Sequence, residues 1–167
     1  MDKAKVDKIL RELSQNIGGD WVLLGGTLVQ LQYNGERATE DIDLAFIKHP
    51  SLSKDATQNQ LFQFTLKHLG MGPEFINLSV EFFLHRFAGW EAELILLQTG
   101  PKGRIFRPSL SLFCALKAER GSELDANDVL SAIRNESATN LDYSKIKKWL
   151  PPEKQVWLEQ LVQKASK

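Results

Sequence analysis

Asp41 and Asp43 stand one residue apart in the run Arg37-Ala38-Thr39-Glu40-Asp41-Ile42-Asp43-Leu44. In a strand, residues two apart share a face, so the two carboxylates aim together while Ile42 and Leu44 pack the other way. Side by side they repel unless a cation lies between them, and a hard, oxygen-ligated ion such as Mg²⁺ (or Mn²⁺) suits that arrangement. Upstream, Gly25-Gly26-Thr27 follows the apolar run Trp21-Val22-Leu23-Leu24 and precedes a short helix. A glycine pair at a strand-to-helix turn lets a phosphate approach bare backbone N–H groups at the helix start. The two elements together point to metal-assisted chemistry on a nucleotide. On that reading Asp41 and Asp43 would be the metal ligands, and the Gly25-Gly26-Thr27 turn would meet a phosphate.

The elements that must position these residues follow from periodicity. Val6, Ile9, Leu10 and Leu13 give one apolar helical face over residues 3–16, ended by Gly18-Gly19. Residues 21–24 form a buried strand, 27–33 a short helix stopped by the turn pair Asn34-Gly35, and 41–47 a second strand. Residues 56–69 predict a helix. The aromatic-rich stretch 75–87 fits a short strand, an irregular segment or a helical turn, and its Phe82, Phe83, Leu84 and Phe87 are core or interface. Residues 91–98 predict a strand and 103–107 a partner across the turn at 99–102. Helices follow over 110–120, ended by Gly121, over 125–134, and after Pro151-Pro152. The fold class is therefore α+β, a small mixed sheet flanked by helices. Residues 1–107 make the core and 108–167 a C-terminal helical extension packed on it.

At 167 residues the chain is long enough to bury a real core. Lys+Arg and Asp+Glu number 21 each, so no global charge draws nucleic acid or an anionic membrane, and a polyanion must meet a local patch. One cysteine excludes an internal disulfide, and three histidines supply no zinc set. No apolar stretch nears the roughly 20 residues of a membrane helix. The first residues lack the apolar core of a signal peptide, which makes the cytoplasm the expected compartment.

The Gly25-Gly26-Thr27 and Asp41-Ile42-Asp43 elements resemble the nucleotidyltransferase superfamily, the fold shared with DNA polymerase β. The run from Arg37 to Leu44 is similar to the Arg-x-Thr-x-Asp-x-Asp pattern of AbiEii-type toxin transferases and related uncharacterised bacterial families. Lys117, Arg120, Asp125 and Asp128 are similar, more loosely, to a later helical part of those families. The resemblance implies a metal-dependent transfer of a nucleoside monophosphate from an NTP to an RNA or protein acceptor. Its setting would be a toxin–antitoxin pair with a cognate antitoxin. It also brings Arg37 and Lys117 to the triphosphate as positive charges. The alternative is a catalytically degenerate nucleotide-binding or protein-interaction module on the same fold.

Active members usually add a third carboxylate from a neighbouring strand. Here Glu81, Glu91 and Glu93 are the candidates, with no aspartate between Asp55 and Asp125. Without such a group, two carboxylates would bind Mg²⁺–nucleotide without efficient turnover. Thr39 either orients Asp41 by a hydrogen bond or caps a turn. Asp125 reads as an N-cap or first-turn residue, and Asp128 as a partner of Lys117 or Arg120. Two small basic clusters, Lys102/Arg104/Arg107 and His85/Arg86, either guide an acceptor or are solvated hairpin charges.

Overall fold

The structure is a computed structural model that describes residues 1–35 and 38–167. Helix α1 (Lys3–Asn16) buries Val6, Ile9, Leu10 and Leu13 on one face, and the Asp2 carboxylate caps it by accepting the Lys5 N–H at 2.8 Å. The chain then enters β1 (Gly19–Leu24), every residue of which is buried, as expected of a strand covered on both faces. Helix α2 (Gly25–Gln32) starts without a linker, and β2 (Ile42–Lys48) returns beside β1. Helix α3 (Lys54–Phe64) runs on into a wider π turn (Thr65–Leu69), closed by Gly70 in the left-handed region.

The aromatic-rich stretch resolves into a two-residue strand β3 (Ile76–Asn77) and a one-turn helix α4 (Glu81–Leu84). Strands β4 (Leu94–Thr99) and β5 (Gly103–Pro108) form a hairpin. Helices α5 (Leu110–Arg120), α6 (Glu123–Glu136), α7 (Tyr143–Trp149) and α8 (Pro152–Ala165) complete the chain.

The five strands lie in the order β3-β2-β1-β5-β4. β1 is antiparallel to β2 and parallel to β5, β2 is parallel to β3, and β4 is antiparallel to β5, so the sheet is mixed. Asp20 and Arg104 face each other across β1 and β5. The guanidinium donates to both carboxylate oxygens, at 2.9 and 2.7 Å, which neutralises a buried acid in the sheet. Helix α5 is buried along most of its length, packed against α6, α7 and α8. Its axis carries Phe113, whose ring meets Tyr33 from α2's end at 5.1 Å.

Three local readings differ from the sequence-based expectation. β4 begins at Leu94, because residues Trp90–Glu93 coil into a 3₁₀ turn after Gly89, which sits at φ 76. That turn buries Trp90 and folds the Glu93 carboxylate onto Ser109, so Glu91 and Glu93 do not alternate along a strand. Asp41 lies in the bend one residue before β2. Helix α7 carries no amphipathic signature strong enough to announce it, since Ile146 is its sole fully buried residue.

The hairpin between β4 and β5 packs tightly on the end of α1. A Cβ at Gly103 would lie 2.3 Å from the Ile17 backbone oxygen, which cannot move aside as a side chain can. Gly103→Ala is expected to lose about 1–3 kcal/mol through this overpacking, read as a lower urea midpoint at unchanged slope.

Candidate functional site

The site grows from the register of two strands. Leu24, the last residue of β1, pairs with Asp43 of β2, so the carboxylate arrives where the chain turns into α2. Gly25 makes that turn at φ 64, a conformation that L side chains rarely adopt. A Cβ there would lie 1.6 Å from Asp43 Oδ2 and 3.0 Å from Asp43 Cβ. The acid therefore rests directly on a bare backbone. Leu24 occupies the N-cap position of α2 and offers no side-chain cap, which leaves the first-turn N–H groups to other acceptors.

Thr27 does not face outward. It is fully buried, and its hydroxyl donates to the Asp41 carbonyl at 2.7 Å. Thr39 donates to the same carbonyl at 3.0 Å and approaches Asp41 Oδ1 at 3.4 Å. Two hydroxyls thus hold the main chain of Asp41 where the loop enters β2. This is a positioning role for Thr27, and it accounts for Thr39 as well. Arg37 lies outside the described residues.

A second residue reaches Asp43 from the sheet edge. Asn77 of β3 is in register with it and donates its amide to Asp43 Oδ1 at 2.7 Å. Nothing in the motif spacing singles out Asn77. The pattern Asn77-Leu78-Ser79, with Ser79 donating its N–H to Asn77 Oδ1 at 3.1 Å, is the turn chemistry that would have marked it.

Opposite this wall stands the end of α5. A cavity of about 260 Å³ lies between the two, with Gly25, Gly26, Asp43 and Asn77 on one side and Lys117 and Arg120 on the other. Val80, Phe83, Phe113 and Leu116 supply its apolar lining. The structure therefore brings together Gly25, Gly26, Asp43 and Lys117. Thr27 and Asp41 stand outside the lining, Thr27 beneath the turn and Asp41 at the entry to β2.

Lys117 is buried, 4% exposed, and its ammonium meets Asp128 at 2.5 Å and Asp125 at 3.4 Å. Both acids come from the first two turns of α6, three residues apart and so on one face. Arg120 also reaches Asp125, at 2.5 Å. Asp125 is the third residue of α6 and closes a capping box with Ser122. Ser122 caps its N–H, while the Asp125 side chain accepts from the Ser122 backbone. Burial pushes the Asp125 carboxyl up, but the Arg120 and Ser122 hydrogen bonds and the charges of Lys117 and Arg120 outweigh it and hold the carboxyl below the usual carboxylate range.

The other acids are engaged elsewhere. Glu93 accepts from Ser109 Oγ at 2.8 Å and from Lys145. Glu81 accepts from Lys54 at 2.8 Å, and Glu91 is exposed. The basic clusters also disperse into pairs: Arg104 with Asp20, Arg107 with Glu136 at 2.7 Å, and Arg86 with Glu119 at 3.2 Å. Cys114 is fully buried on α5, and burial raises its thiol above the ordinary range, which makes it inert packing.

Among the described residues no group of three or more His, Cys, Asp or Glu is arranged to hold a metal. Asp43 is the one carboxylate lining the cavity, and Asp41 lies outside it. Both side chains offer the oxygen donors that a hard cation such as Mg²⁺ takes.

A mixed sheet whose central strand turns through glycines onto a strand-borne acid is the arrangement expected of a nucleotidyltransferase core. Residues 8–88 match the sequence family described as nucleotidyl transferase AbiEii toxin, Type IV TA system, so the resemblance seen in the motifs holds over just under half of the chain. The matched stretch contains Gly25, Gly26, Thr27, Asp41, Asp43 and Asn77, and it ends before the helix that carries Lys117. No curated protein and no solved structure matches the chain.

Two outcomes follow from this geometry. Thr27→Val removes one of two donors to the Asp41 carbonyl and is expected to cost about 1 kcal/mol in chemical unfolding. The second concerns Asp125. A carboxyl held lower in the folded chain than in the unfolded one stabilises the fold above a pH of about 4 and loses that contribution as pH falls through its folded value. Asp125→Asn is therefore expected to be less stable than the parent at pH 7. The gap should close as unfolding is repeated at pH values stepping down below about 4.

Proposed function

We propose that this protein is a metal-dependent nucleotidyltransferase that moves a nucleoside monophosphate from an NTP to an RNA or protein acceptor. Its setting is a toxin–antitoxin pair, with a cognate antitoxin as partner and the cytoplasm as compartment. The observation that carries the reading is the Asp43 carboxylate seated on the Gly25 turn, facing Lys117 and Arg120 across one cavity. The family match over residues 8–88 supports it. No helix of the described residues is long and apolar enough to cross a membrane.

In this reading residues 1–107 form the transferase core, and the helices of 108–167 supply the second wall. Asp41 and Asp43 would hold Mg²⁺ or Mn²⁺, which neutralises charge on the triphosphate when bound. The uncapped first turn of α2, with Gly25 and Gly26, receives phosphate oxygens through backbone N–H groups. Lys117 and Arg120, and Arg37 by resemblance, add positive charge. The acceptor hydroxyl gives its proton to solvent as its oxygen bonds the α-phosphorus, the α–β phosphoanhydride breaks, and pyrophosphate leaves with the electron pair.

A second reading has one specific support. Among the described residues an amide, Asn77, faces Asp43 from the adjacent strand, while Glu93 is held by Ser109 and Lys145 and Glu81 meets Lys54 through one of its two oxygens. A cleft that binds nucleotide without efficient turnover would look the same.

Thermal melting with each NTP, with and without Mg²⁺ or Mn²⁺, tests both. A nucleotide at 100 times its Kd stabilises the folded state by about 2.7 kcal/mol, roughly 5–10 °C for a chain of this size. The rise is expected to need metal and to vanish in Asp41→Asn/Asp43→Asn. Labelled-nucleotide transfer to RNA or protein then separates the transferase from the binding module, and the absence of any metal-dependent rise would overturn both.

A further inference from the structure

Among the described residues two aromatic rings line the cavity, Phe113 and Phe83, and they differ in what they can offer a ligand. Phe113 is 1% exposed. Its ring meets Tyr33 at 5.1 Å and lies 5.6 Å beneath the Lys117 ammonium. Phe83 is 36% exposed. Its ring meets Phe82 at 5.6 Å and 81°, an edge-to-face contact that takes at most one of its two faces. The core does not call on it either: α4 is anchored by the fully buried Leu84, and Phe87 follows at 1% exposed.

The rest of the lining divides into two kinds of surface. Val80 and Leu116, both partly buried, continue the apolar surface of Phe83. The glycine turn, with the uncapped N–H groups of α2, and the partly compensated cations Lys117 and Arg120 supply groups that attract an anion. The polar atoms nearest α4 are spent on one another, since Asn77 accepts from the Ser79 N–H and hydroxyl and donates to Asp43. An exposed ring beside anion-binding groups suits a flat heterocycle joined to a phosphate chain, held by stacking more than by hydrogen bonds to its edge.

We propose that Phe83 is the platform on which the base of the nucleoside triphosphate stacks. This inference rests on the reading of the cavity as a nucleotide site, and it needs no assignment of metal ligands. Every base has a π-face, so Phe83 adds affinity for the base without choosing among the four.

Isothermal titration calorimetry on the full chain tests this with ATP, GTP, CTP and UTP in Mg²⁺, and with inorganic tripolyphosphate as the probe that lacks a base. Phe83→Ala is expected to bind each NTP that the parent binds roughly 5- to 150-fold more weakly, with tripolyphosphate binding unchanged. Phe83→Tyr, which keeps the ring, is expected to retain the parent's NTP affinity. Three results would overturn the inference while leaving the nucleotide reading in place: undiminished NTP affinity in Phe83→Ala, an equal loss of tripolyphosphate, or a loss in Phe83→Tyr as large as in Phe83→Ala. A parent that binds no NTP would overturn both. Should Phe83→Ala fail to fold in a melting control, Phe83→Leu, which keeps apolar bulk without a ring, is read by the same comparison.

Discussion

The cleft depends on the approach of the Asp43 carboxylate to the backbone at Gly25. With room for no Cβ at position 25, the end of β1, the start of α2 and the middle of the motif strand are fixed against one another. The β1–β2 register, with Leu24 opposite Asp43, makes that approach unavoidable, and the left-handed φ of Gly25 lets the chain leave the strand without a linker. One close contact thus sets where an acid and a helix N-terminus meet. Thr27 and Thr39 secure the other end of the arrangement by binding the Asp41 carbonyl, so the short loop between α2 and β2 re-enters the sheet at a defined point.

The opposite wall is built on different physics. Where the glycine turn is a matter of backbone geometry, the α5 wall is a network of buried charge. Lys117 is desolvated and would be costly alone; two acids from α6 compensate it, and Arg120 and the Ser122 cap compensate Asp125 in turn. Such a network is weak evidence for net stability, and each member leaves an uncompensated charge if another moves. It joins α5 to α6 at the point where both meet the cavity. The Lys117 ammonium is shared between two carboxylates and the half-exposed Arg120 guanidinium is paired with one of them, so both cations reach the cavity already partly compensated.

How much of this was legible in the sequence varies with the range of the interactions involved. The helices at 3–16 and 110–120 follow from local periodicity, a capping serine and a terminal glycine, and they appear as Lys3–Asn16 and Leu110–Arg120. The Asp128–Lys117 partnership was one of two options left by spacing alone, and burial chose between them. Of residues 91–98 the strand is realised from Leu94, whereas burial of Trp90 and the Ser109 hydrogen bond coil the first three residues. Asn77 was less legible. Its contact with Asp43 comes from a cross-strand neighbour, a two-residue strand leaves no period to read, and the Asn77-Leu78-Ser79 turn was the one local signal.

The motif residues divide their labour along a line that residue type alone does not draw. In Gly25-Gly26-Thr27 the glycines face the cavity while the threonine points inward, although a hydroxyl beside a phosphate loop is the obvious ligand. Likewise Asp43 is on the cavity wall, while Asp41 contributes its carbonyl to the packing beneath and its carboxylate from the bend outside β2. In both cases the groups that point inward tie α2 to the entry of β2, the Thr27 hydroxyl donating to the Asp41 carbonyl. A buried hydroxyl bonding a carbonyl is the cheapest tie available, since it satisfies two polar groups at once. Spacing identifies which residues cluster at the turn, and hydrogen-bond satisfaction decides which of them line the cavity.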